Sequence, residues 1–91
     1  MDISIKYSRS AFKRGIAEED IRHTLINVLY DNAIHGAKDK YLLIGKDRRG
    51  DLLEIMYNII NDAADEVICV FHAMKNRDEF AAFSGIGENH A

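Results

Sequence analysis

Residues 2–7, DISIKY, alternate Ile3, Ile5 and Tyr7 with Asp2, Ser4 and Lys6. A period of two with β-branched residues predicts a half-buried strand. Ser8 stands where an N-cap would open a short helix, and Gly15, after Lys13 and Arg14, stands where that helix would close. Ile16 is placed to staple a second helix that starts near Ala17. The first turn of that helix carries Glu18, Glu19 and Asp20, the sign of charge its dipole favours. Ile21, Leu25, Val28 and Leu29 then fall at i, i+4, i+7 and i+8, one apolar stripe. Residues 30–40, YDNAIHGAKDK, are polar with a glycine and read as a loop, with room for a short edge strand at Ala33 to His35.

Three strand signals follow. Tyr41 to Lys46 turns through Asp47-Arg48-Arg49-Gly50 into Leu52 to Ile60, which turns through Asn61 to Asp65 into Glu66 to Ala73. Turns this short join antiparallel neighbours, so the three form a meander. In the middle strand Leu53, Ile55, Tyr57 and Ile59 share the side expected to meet the helices, with Leu52, Glu54, Met56, Asn58 and Ile60 on the other. Phe80 and Phe83 lie three apart on a predicted terminal helix, Asn76 to Phe83, and residues 84–91 read as a frayed tail. The sum is β-α-α-β-β-β-α, one α+β domain over residues 1–83. Its sheet is expected to be antiparallel, the meander plus the N-terminal strand, with helices packed mainly on one face.

Ninety-one residues make one domain, which buries roughly 60–65% of the surface its unfolded chain exposes. Apolar content of 47% and charged content of 30% suit a globular protein. No apolar run approaches the ~18–20 residues that span a bilayer, and the first ten residues lack the apolar core of a signal peptide, so the cytoplasm is the expected location. The lone cysteine, Cys69, excludes an internal disulfide and lies in the most apolar run, as a buried inert thiol does. The net charge of −3 argues against a surface that grips nucleic acid all round. The cations are nonetheless clustered: Lys6, Arg9, Lys13 and Arg14, then Lys46, Arg48 and Arg49, then Lys75 and Arg77.

The stretch Glu66 to Phe80 draws most attention. Five apolar residues, Val67 to Phe71, run directly into His72, and Lys75 and Arg77 follow closely. An imidazole at the end of a buried strand with cations near it is a candidate acid–base site. His23, His35 and His90 are far apart and no cysteine or histidine stands at ligand spacing, so no metal site is expected. Gly85-Ile86-Gly87 has no preceding strand, so no phosphate loop or cofactor is expected either. The acids that open the second helix also speak against DNA reading by a helix–turn–helix.

Two local patterns and the order of elements resemble the BrnT-like toxins, small members of the RelE-like ribonuclease-toxin superfamily. In YSRSAFKRGIAEEDI, Lys13-Arg14-Gly15-Ile16 match the family's basic residues, glycine and apolar residue ahead of an acidic helix start. VFHAMKNRDEF is similar to the family's closing strand, with His72, Ala73, Lys75 and Arg77 at matching places. The resemblance spans Ile3 to Phe83. It implies a type II toxin that cleaves RNA and is neutralised by a cognate antitoxin. Such toxins are usually basic, and this chain is acidic.

Metal-free RNA cleavage needs a base for the 2′-hydroxyl proton, cations for the phosphorane and an acid for the leaving oxygen. His72, Lys75 and Arg77 are the expected catalytic group, Arg77 having the bidentate geometry that suits phosphate. Arg48, Arg49, Lys13, Arg14 and Tyr57 are expected to bind substrate, and Glu54 is a further candidate on the face opposite Tyr57. A second reading is a non-enzymatic interaction module whose sheet edge or terminal helix binds a partner peptide or its own copy. The acidic balance and the very apolar closing strand motivate it.

Overall fold

The computed structural model describes residues 3–62 and 65–76. Its strands are β1 (Ile3–Tyr7), β2 (Val28–Ala33), β3 (Lys40–Lys46), β4 (Leu52–Asp62) and β5 (Asp65–Lys75), with a 3-10 turn at Arg9–Phe12 and one α-helix, α1 (Glu18–Ile26), among the described residues. The strands form one sheet in the order β1-β5-β4-β3-β2. The chain is therefore α+β, and β3-β4-β5 is the antiparallel meander the turns predict. β2 adds to it antiparallel.

β1 departs from the expected antiparallel sheet, because it pairs parallel to β5, from Ile3 opposite Glu66 to Tyr7 opposite Val70. The sheet is mixed. The continuous apolar run Val67 to Phe71 of β5 suits a strand inside the sheet. It takes β4 on one edge and β1 on the other.

The first expected helix is only the single 3-10 turn. Ser8 N–H donates to the Val70 carbonyl (2.9 Å) and the Ser10 hydroxyl to the Phe71 carbonyl (2.6 Å). Pinned to β5 at two points, with Ala11 buried, the segment has no freedom to wind further. Gly15 does terminate it, in the left-handed region (φ 78°) that glycine adopts without strain.

The second expected helix is also shorter than its stripe. Ile21 and Leu25 pack into the core from α1, but Val28 and Leu29 belong to β2. The helix stops at Asn27, whose side chain and backbone both donate to the His23 carbonyl (2.9 and 3.0 Å). The Asn27 carbonyl then accepts from Lys46 N–H (3.1 Å), and Val28 enters the ladder opposite Gly45. Hydrogen bonding along the β3 edge overrides the helical period. The expected loop at 30–40 thus begins inside a strand, and the edge strand proposed at Ala33 to His35 lies at Val28–Ala33. The predicted terminal helix falls, from residue 77 on, outside the described residues.

One face of the sheet meets α1. Leu43, Ile55, Tyr57, Val70 and Ala73 pack there with Ile21 and Ala11, so the side of β4 assigned to the helix is the correct one. Gly45 sets how closely α1 approaches β3. A Cβ there would lie 2.5 Å from the Asn27 carbonyl oxygen and 2.7 Å from that of Thr24, both backbone atoms. Gly45→Ala is expected to cost about 1–3 kcal/mol. Urea denaturation will show it as a lower midpoint at unchanged slope.

Candidate active site

A β-bulge decides where His72 points. In the β4–β5 ladder Tyr57 pairs with Val70 and Met56 with His72, which leaves Phe71 as the extra residue. Before the bulge Ile68 and Val70 face α1; after it, Ala73 does. The inserted residue therefore turns His72 to the face away from α1, in one row with Met56 and Leu42.

There it meets Glu54. The imidazole Nε2 lies 2.9 Å from Glu54 Oε2, with side chains 24% and 2% exposed. A carboxylate only accepts, so Nε2 carries the hydrogen of this bond, and in the neutral imidazole the lone pair is then on Nδ1. Glu54 Oε1 is buried without a partner among the described residues. An ion in such a place is stabilised by its single partner, and the pair fixes ring orientation and tautomer together. Lys40 of β3 holds its ammonium 5.5 Å from the ring centroid of Phe71, the residue before His72.

The expected catalytic trio is not one cluster. Lys75 follows Ala73 onto the α1 side, opposite Leu53, and its Nζ donates to Asp51 Oδ2 (2.8 Å). Arg77 lies outside the described residues. Tyr57 is on the α1 side as well, stacked on Tyr41 (5.2 Å between centroids), with its hydroxyl donating to Asp31 (2.7 Å). Burial, then that carboxylate, push its pKa up, so the phenol is a packed donor beneath the helix.

The turn arginines meet Lys75 instead of His72. Arg48, Arg49 and Lys75 line a polar cleft of about 250 Å³ with Asp20, Asp47 and Gly15, the residue after Lys13-Arg14. Here Arg48 and Lys75 are each paired with a carboxylate. Arg48 clasps Asp20 with Nε (2.9 Å), Nη2 (3.2 Å) and its backbone N–H (3.2 Å). Buried Asp47 organises the β3–β4 turn, its Oδ1 accepting from the N–H groups of Arg49 and Asp51 (2.9 Å each). Two carboxylates, Asp20 and Asp47, line the cleft with the three cations, and Asp51 holds Lys75 beside it, so the cleft ties α1 to the β3–β4 turn.

Sequence pattern pointed to Glu54 without identifying its partner: it is the one charge inside the apolar run Leu52 to Ile60. Lys40 carries no such signal, because it closes a polar stretch that predicts a loop, whereas β3 begins with it. No protein-family model matches this chain, and no curated protein does.

The Arg48 side-chain hydrogen bonds hold the Asp20 carboxyl at about 2, down from 3.8. A depressed carboxyl stabilises the fold above its unfolded value and loses that contribution as pH falls through the folded one. Arg48→Gln is expected to return the Asp20 titration, followed by NMR, to near 3.8, and to remove resistance to acid between those two values.

Proposed function

We propose that this domain is a toxin-like protein that acts on RNA, with His72 as its acid–base group and a protein antitoxin as its natural restraint. One observation carries the reading: His72 is hydrogen-bonded through Nε2 to a buried carboxylate, and its Nδ1 has no partner among the described residues. In a metal-independent cleavage, Nδ1 takes the proton from the ribose 2′-hydroxyl as the oxygen attacks phosphorus, and Glu54 stabilises the imidazolium that forms. The protonated ring can then return that proton toward the leaving 5′-oxygen. Arg77 keeps the phosphate-binding role its position suggests. Lys75, held by Asp51, serves the fold in this reading. The likeness to BrnT-like toxins supports the same substrate class.

Expression in a bacterial host, with RNA cleavage assayed in chelator, tests this. Wild type is expected to arrest growth and cut RNA, and His72→Ala to lose roughly 10²–10⁴-fold in rate. That variant strands Glu54, at a cost of about 3–5 kcal/mol. The double variant His72→Ala/Glu54→Leu should therefore recover stability and stay inactive. A wild type that neither arrests growth nor cuts RNA overturns the proposal.

The edge of the sheet favours a second reading, an interaction module. β2 is an edge strand, and Ile26, Val28 and Leu29 beside it are 78%, 40% and 49% exposed. On that reading sedimentation shows a dimer that Leu29→Lys dissociates; a monomer at all concentrations excludes self-association.

A further inference from the structure

The face of the sheet away from α1 is buried at its centre, yet no described element lies on it. Leu42 and Ile44 of β3 and Glu54 of β4 belong to that face and are 6, 0 and 1% exposed. Neighbouring strands cover the flanks of such side chains but not their tips, which meet water unless a second layer lies on the sheet. Among the described residues that layer is missing. α1 and the 3-10 turn both pack on the opposite face, through Ile21 and Ala11. The cover is also local. At the far end of the face Val67 is buried, but Ile60, its partner across the ladder, is exposed.

The direction of the chain identifies what supplies the cover. Met74 stands opposite Glu54 and shares its face, and alternation returns Asn76 to that face. The Asn76 N–H donates to the Leu52 carbonyl (2.9 Å), and the Asn76 Nδ2 is buried without a partner among the described residues. Residues 77–91 follow from this point and carry Phe80, Phe83 and Ile86. As the helix their spacing predicts, the stretch from Asn76 to Phe83 measures ~10 Å. β3 lies two inter-strand spacings from β5, also ~10 Å. Charge is complementary as well. Lys46 is exposed on the same face, paired with Leu52 beside Asn76, and Asp78 and Glu79 stand near the start of the segment.

We infer that residues 77–91 are the second layer of this fold, crossing the face away from α1 with Phe80 and Phe83 seated on Leu42 and Ile44. The segment keeps water from Glu54 and leaves the partly exposed His72 ring as the reachable half of the pair. This placement rests on burial and chain direction and is independent of what His72 does.

NMR on the full chain with labelled isoleucine and leucine methyl groups tests it. Cross-relaxation is expected from the rings of Phe80 and Phe83 to the methyl groups of Ile44 and Leu42. Phe80→Leu and Phe83→Leu assign the two rings, and each should remove one set of contacts and shift those methyl resonances. The resonances of Ile21 and Ile55, on the α1 side, should stay where they are. The placement is overturned if the Ile44 methyl groups meet no residue beyond Asn76, or if either ring contacts Ile21 or Leu25 instead. A mixture of differently labelled chains distinguishes a second copy: contacts seen only between chains overturn the placement too. The wild-type contacts decide the outcome even where a variant fails to fold, and RNA cleavage, present or absent, bears only on His72.

Discussion

Strand β5 presents apolar side chains to both faces and backbone hydrogen-bonding groups to both edges, and neither set can be left in the interior unpartnered. Most of the architecture answers that constraint. β4 takes one edge through a long hairpin and β1 the other by parallel pairing. Ser8 and Ser10 extend the attachment past the end of β1, bonding the carbonyls of Val70 and Phe71. Those carbonyls flank the bulge. The contacts that anchor the N-terminal segment also hold the irregularity that aims His72.

Much of this could be read in the residues, and the failures have physical causes. The alternation of Leu53, Ile55, Tyr57 and Ile59 gave the correct core side of β4, because period two survives any regular ladder. The same logic fails across Phe71: an inserted residue exchanges the two faces for everything after it, and no residue type in VFHAMK announces the insertion. His72 and Lys75 are parted for a simpler reason: β5 runs on to Lys75, and residues three apart on one strand face opposite ways. Val28 and Leu29 are ambiguous for a different reason, since their spacing from Ile21 fits a helix as well as the β-branching of Val28 fits a strand. Only the free edge of β3 decides between them. The direction of β1 was not legible at all, since side-chain alternation is the same for parallel and antiparallel pairing.

Charge shows a comparable division. The carboxylates of α1 meet the arginines of the β3–β4 turn, while Lys6, Lys40 and Lys46 lie on the other face of the sheet with Glu54, Asp62 and Asp65. Net charge therefore says little about what one face can attract. Two sites follow that differ in kind: the cleft, where ionic groups satisfy one another and brace the turn, and the His72–Glu54 pair, where a buried carboxylate has one oxygen engaged and one unpartnered among the described residues.

The pairing of β1 with β5 also has a consequence for how the chain reaches its fold. On the ribosome β1 is made early, and its partner is made more than fifty residues later. Until β5 appears, Ile5 and Tyr7 have no ladder to join, and the meander, closed by short turns, can assemble without them. The β5 edge would then remain open for as long as the N-terminal strand takes to return. Such an interval invites pairing with another nascent copy. The slowest folding step is therefore placed at the seam that also anchors the bulge beside His72.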